Sequence, residues 1–154
     1  MRIDRQEKAL RAEALFRDGY NCAQSVTVAY APELGLGDEQ AARMAGGLGG
    51  GVGGMREVCG AVSAMALVYG MLRGYGRPED KEGKKAEYAA IQRMGKRFRE
   101  AEGELACRPL LLRAGIEPDD TPSERTPEYY AKRPCPRLVS LCAAILADEL
   151  NGEA

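Results

Sequence analysis

Residues 5–17, RQEKALRAEALFR, place apolar side chains at Ala9, Leu10, Ala12, Leu15 and Phe16. That spacing predicts an amphipathic helix. Asp18-Gly19 stops it, glycine being the usual residue just past a helix end. Asn21 is placed to cap a second helix reaching about Tyr30 and ending near Pro32 and Gly35, and Asp38 to cap a third over EQAARMA. Residues 46–61, GGLGGGVGGMREVCGA, then hold eight glycines in sixteen positions. A helix loses about 1 kcal/mol at each glycine relative to alanine, so a loop is expected over 46–54. A strongly apolar helix follows from about Arg56 to Leu72.

GYGRPED (74–80) reads as a turn, and residues 80–102 as a long charged helix with Ala86, Tyr88, Ile91, Met94 and Phe98 near one side. CRPLLLRAG (107–115) is a short helix with Pro109 in its first turn. Residues 116–134 carry Pro118, Pro122, Pro127 and Pro134, half of the chain's eight prolines, and predict an extended surface connection. The final helix, over 136–150, repeats Leu138, Leu141, Cys142, Ile145, Leu146 and Leu150. No stretch alternates as a strand does. The expected fold is all-α: one single-domain helical bundle over 1–154, of about six to seven helices, with a glycine-rich loop.

A chain of 154 residues buries roughly two-thirds of its unfolded surface, so no metal or disulfide is needed for it to fold. Net charge is −1, with 22 basic and 23 acidic residues interspersed. Neither nucleic acid nor a membrane surface is therefore an expected partner. Apolar runs such as AVSAMALVYGML (61–72) fall short of the ~20 residues of a membrane span. The charged MRIDRQEKAL is no secretory signal. A cytoplasmic, reducing location is expected, where lasting disulfides are rare. The apolar helix after the glycine loop suits a core position and a homodimer contact equally.

Histidine is absent, which removes Ser-His-Asp and Cys-His nucleophile pairs and any histidine-containing zinc site. No C-x-x-C-H is present either, so covalent c-type haem is excluded. Five cysteines remain: Cys22, Cys59, Cys107, Cys135 and Cys142. The first four each stand at a predicted helix N-terminus, where free N–H groups and the positive dipole end favour a thiolate. Taken singly, each also reads as a small buried hydrophobe. Cys142 lies mid-helix at a core position. The separations between the first four are 37, 48 and 28 residues, so no local C-x-x-C knuckle exists. A four-cysteine site would have to be assembled by tertiary packing. Gly49, Gly51 and Gly54 satisfy G-x-G-x-x-G, but they follow a helical segment rather than a strand, which argues against dinucleotide binding. A Walker loop is excluded because no Gly-Lys-Ser/Thr follows. The loop serves either close helix crossing or a backbone nest of N–H donors.

GYNCAQSV, then the glycine run leading into REVCGAVSAMALVYG, then CRPLL, then CPRLV together resemble the C_GCAxxG_C_C family of redox-active proteins, over about Phe16 to Leu146. That family is related to the N-terminal region of split-Soret cytochromes. The resemblance carries the family cysteines onto Cys22, Cys59, Cys107 and Cys135 and leaves Cys142 outside. Val58 departs from the glycine that the family's name writes before its second cysteine. What the resemblance implies is redox chemistry at cysteine, with an iron–sulfur cluster as cofactor, the four cysteines as metal ligands, and a redox protein as an otherwise unidentified partner. Haem does not carry over.

A cluster held by four thiolates is net negative and needs N–H donors around it, for which Gly53, Gly54 and Gly60 are the candidates. The same cysteines could instead serve a thiol–disulfide oxidoreductase or redox sensor, although a resolving cysteine at short spacing is missing. They could also hold a structural zinc ion, or no metal in a plain interaction domain. Arg56 and Glu57 beside Cys59 read as solvated charges of a first helical turn, or as charges that tune the site or gate a substrate.

Overall fold

The structure, a computed structural model, describes residues 2–153. Helix α1 spans Arg5–Arg17, and the Asp4 carboxylate caps it by accepting from the Glu7 N–H at 3.0 Å. At its other end Gly19 adopts a φ of 111° and the Tyr20 N–H reaches back to the Leu15 carbonyl at 3.2 Å. The buried face differs from the one that apolar spacing marks. Lys8, Ala12, Leu15 and Phe16 point inward, while Leu10 is 64% exposed. Lys8 occupies a core position because its ammonium donates to the Ala29 carbonyl at 2.9 Å, pairs with Glu33 at 2.7 Å and lies 5.1 Å from the Tyr30 ring centre. The buried charge is thereby compensated.

Helix α2, Cys22–Ala29, opens with a full capping box. The Asn21 side chain accepts from the Gln24 N–H at 2.9 Å, and the Gln24 side chain accepts from the Asn21 N–H at 3.1 Å. The expected second helix is broken after Tyr30, whose φ and ψ leave the helical range. A short α3, Ala31–Leu34, follows and ends on left-handed Gly35. Helix α4, Asp38–Ala45, takes Gly37 as its cap, with Asp38 as its first residue. A 3-10 turn, Gly46–Leu48, leads into the glycine loop.

That loop extends beyond its last clustered glycine. Helix α5, Gly60–Arg73, begins with Cys59 as its N-cap rather than near Arg56. Arg56 has a φ of 60°, and Val58 pairs with Ala106 in an isolated antiparallel bridge. Left-handed and extended residues cannot belong to a right-handed helix. One face of α5 (Ala61, Ala64, Met65, Val68) packs into the core, and Met71 lies outside it.

Helix α6, Lys81–Glu102, buries Ala90, Met94 and Phe98, with Ile91 packed at the core's edge. Ala86 and Tyr88, expected on that side, are exposed. Helix α7 is Cys107–Arg113. The proline-rich segment 116–134 is extended for most of its length but contains α8, Pro127–Lys132. Thr126 caps α8 by accepting from the Tyr129 N–H at 3.1 Å, with Pro127 in the first turn. A proline at that position supports a helix rather than breaking one.

Helix α9, Cys135–Leu150, is the axis of the molecule and packs against α1, α2, α5 and α6. Twelve of its sixteen residues are buried, so it is enclosed nearly all round and the amphipathic reading understates it. Burying each of Leu138, Ile145, Leu146 and Leu150 contributes about 1.5–3 kcal/mol. Even Asp148 and Glu149 are enclosed. Arg5 and Arg97 each reach Asp148 at 3.0 Å, and Arg93 donates to Glu149 through two nitrogens. Cys142 is fully buried in this core. Among the described residues there are nine α-helices and no strand, an all-α fold with two or three more helices than the six to seven that the spacing predicts.

Asn21 joins the start of α2 to the glycine loop as well, donating to the Gly46 carbonyl at 3.0 Å. Asn21→Ala should therefore lower stability by about 1–2 kcal/mol. In a urea titration the midpoint should fall with the slope unchanged; an unchanged midpoint would mean the cap contributes nothing.

Candidate functional site

Four helix starts face one cavity of about 610 Å³, and its lining includes Cys22, Cys59, Cys107 and Cys135. Cys22, Cys107 and Cys135 are the first residues of α2, α7 and α9, and Cys59 caps α5. All four are free thiols, as is Cys142. Cys142 does not line the cavity.

Backbone pairing brings two of them together. The Cys59 N–H donates to the Leu105 carbonyl at 2.8 Å, and the Cys107 N–H donates to the Glu57 carbonyl at 2.6 Å. These bonds flank the Val58–Ala106 bridge. Cys22 is held against the start of α5 by Gly60, where a Cβ would lie 2.6 Å from the Cys22 sulfur and 2.8 Å from the Leu48 carbonyl oxygen. Among the described residues, no three or more cysteine or acidic side chains are arranged to hold a single metal ion. The four sulfurs share a chamber without converging on one point.

The predicted glycine donors divide. Gly53, Gly54 and Gly60 all line the cavity. The N–H groups of Gly53 and Gly54, however, donate within the loop, to the Gly47 and Gly49 carbonyls at 2.8 and 3.2 Å. Their positive φ values, 57° and 82°, fold the loop back on itself. The N–H groups that do serve the Cys22 sulfur are those of Gly50, Ala23 and Gly60. Gly50 carries no signal in the sequence that separates it from its neighbours.

At Cys22, Cys59 and Cys135 the expectation of a low-pKa thiol is overturned. Burial pushes the Cys22 thiol up, against those three N–H groups. Burial pushes Cys59 well up, reinforced by the nearby Cys22 and Cys135 sulfurs and opposed by the Ala61 and Val62 amides. Cys135 is pushed up to about 12 by burial and then by Cys22, with Arg133 opposing. Desolvating a thiolate costs more here than the helix-start donors return. That each sulfur raises its neighbour places the group within electrostatic reach.

Three arginines border the same space: Arg56, Arg125 and Arg133, with Asp120 the one acidic residue in the lining. Arg125 is a packing hub. It donates to the carbonyls of Phe16 and Tyr20 at 2.9 and 3.0 Å and lies 4.3 Å from the Phe16 ring centre and 4.9 Å from that of Tyr129. Arg133 stacks on Tyr129 and donates to the Ser123 hydroxyl at 2.9 Å. Together they hold segment 116–134 beside the cysteines. Arg56 is half-buried in the loop, so the reading of it as a solvated charge in a helical turn fails.

One chamber of this all-α domain thus collects four thiols, backbone donors and guanidinium groups. The family model described as "Putative redox-active protein (C_GCAxxG_C_C)" matches residues 20–149, and the chain belongs to that family. No curated protein and no solved structure matches it. Among the described residues no helix is long and apolar enough to cross a membrane.

Raised pKa values leave little thiolate at neutral pH, and the fraction grows as pH climbs toward them. Alkylation of the native protein by iodoacetamide should therefore be slow at Cys22, Cys59 and Cys135 at pH 7.5 and accelerate steeply toward pH 10, with Cys142 the slowest throughout. Peptide mass mapping against pH reads this; fast, pH-independent labelling of Cys59 would contradict the buried-thiol assignment.

Proposed function

We propose that Cys22, Cys59, Cys107 and Cys135 ligate an iron–sulfur cluster in this cavity and that the protein exchanges electrons through it with a partner protein. The observation that carries the reading is the convergence of four helix-start cysteines, remote in sequence, on one chamber. Its donor set fits such a group: thiols alone, with no histidine in the chain and one acid in the lining.

A cluster supplies one-electron transfer at a potential set by net charge, burial and hydrogen bonds to its sulfurs. The chain's own residues would act on each of these. The amides of Gly50, Ala23 and Gly60 would donate to the Cys22 sulfur, and those of Ala61 and Val62 to Cys59. Arg125 and Arg133 would offset the negative charge at Cys135. Phe16, Leu110, Leu111 and Leu138 in the lining would limit water. The thiols must lose their protons to bind, so loading would release protons and weaken as pH falls.

Two observations favour this reading over its rivals. A lone zinc ion gathers its thiolates to about 2.3 Å, and among the described residues no three cysteine or acidic side chains are arranged to do so. Burial that keeps Cys22, Cys59 and Cys135 protonated disfavours rapid thiol–disulfide exchange, which proceeds through the thiolate.

Protein purified or reconstituted under strict anaerobiosis should show broad visible absorption together with iron and acid-labile sulfide. Cys59→Ser should abolish the colour and Cys142→Ser should retain it. Zinc without sulfide, a colourless protein whose thiols pair with changing potential, or equal loss from both substitutions would overturn the assignment. Gly60→Ala should also lose most of the colour, because its methyl group would displace the Cys22 sulfur.

A further inference from the structure

Arg56 is held in a backbone conformation that residues with a Cβ disfavour, and its surroundings are arranged to keep it there. Its φ is 60°. Its N–H donates to the Gly50 carbonyl at 2.9 Å, the Glu57 N–H donates to the Gly51 carbonyl at 2.9 Å, and the Arg56 carbonyl accepts from the Arg108 N–H at 3.2 Å. Gly51 lies flat against this peptide: a Cβ there would stand 2.5 Å from the Glu57 nitrogen and 2.8 Å from the Arg56 Cα. A backbone outlier so thoroughly supported points to a use for the side chain it aims.

That side chain makes two contacts on different elements. Its Nη1 donates to the Cys107 sulfur at 3.7 Å, and its Nε donates to the Asp119 carbonyl at 2.8 Å. Asp119 sits in the extended segment 116–126, whose next residue, Asp120, lies across Gly54. A Cβ on that glycine would meet the Asp120 carbonyl oxygen at 2.7 Å. Asp120, Pro122, Ser123 and Arg125 of the segment line the cavity. One guanidinium therefore ties the cover of the chamber to one of its sulfurs.

We infer that Arg56 is a positioning residue that couples negative charge at the Cys107 sulfur to closure of segment 116–126 over the cavity. The planar fork of arginine holds a sulfur and a carbonyl at once, which a lysine ammonium does as a single point. Charge on the sulfur strengthens the Nη1 contact and fixes the guanidinium; a fixed guanidinium holds Asp119 and the segment in place. The cover is tightest when Cys107 carries the charge of a bound cluster, a state that rests on the function proposed above. The two contacts themselves are present without it.

The test uses the full chain, digested under native conditions by a glutamate-specific protease, with cleavage after Glu124, in the covering segment, followed by mass. In metal-free protein Arg56→Gln should raise cleavage by about tenfold, since a hydrogen bond from a charged donor is lost, and Arg56→Lys should fall between. Cys107→Ala should raise it less, and Arg56→Gln/Cys107→Ala should cleave no faster than Arg56→Gln alone, the mark of one shared interaction. In iron- and sulfide-loaded protein the wild type should cleave more slowly than its metal-free form, and Arg56→Gln should lose most of that difference. Wild-type cleavage rates in Arg56→Gln, independent multiplication of the two single effects, or equal rates in loaded and metal-free wild type would overturn the coupling. Circular dichroism checks each fold, and Arg56→Lys carries the comparison if Arg56→Gln does not fold. A wild type that takes up neither iron nor sulfide defeats the cluster reading, and the metal-free comparison then decides the role of Arg56 alone.

Discussion

The hydrogen bonds flanking the Val58–Ala106 bridge, from the Cys59 N–H to Leu105 and from the Cys107 N–H to Glu57, fasten the end of the glycine loop to the start of α7. The rest of the site depends on this seam. It sets where α5 begins, and therefore which residue caps it, and it brings together two cysteines that belong to different helices. The left-handed glycines at 50, 51, 53 and 54 let the chain fold back tightly enough to reach the seam. The loop is thus a positioning device whose amides are mostly occupied within itself, with Gly50 reserved for the Cys22 sulfur.

Electrostatics in the chamber are a contest between burial and backbone donors. Helix starts and stray amides favour thiolates, but burial beside other sulfurs outweighs them at Cys22, Cys59 and Cys135. The same geometry becomes favourable once a cation shares the space, because the attraction is then as undiluted by water as the penalty was. Arginine placement follows this logic. Arg125 and Arg133 are satisfied by carbonyls, a hydroxyl and aromatic faces, so their charge is present near the sulfurs without being free to pair elsewhere.

Helix positions were largely legible in the chain: α1, α6 and α9 lie where apolar spacing places them, and the cap at Asn21 marks the start of α2. Burial was less so. Lys8 and Asp148 lie inside because partners from other elements neutralise them, and Leu10 and Tyr88 are exposed despite their apolar character. Periodicity cannot see a partner remote in sequence. The start of α5 departs from the apolar pattern for a related reason, since an extended pairing with Ala106 overrides local helix preference.

The sequence by itself determined an all-α fold, the absence of any histidine chemistry, and four candidate sulfurs at helix starts with a fifth in the core, because these follow from residue type and short-range spacing. Only the tertiary structure decided that the four share one chamber, that Gly50 and Gly60 rather than Gly53 and Gly54 offer their amides to the Cys22 sulfur, and that Arg56 reaches both Cys107 and the covering segment. Each of those depends on contacts between residues far apart in the chain, and on a desolvation balance that no local pattern encodes.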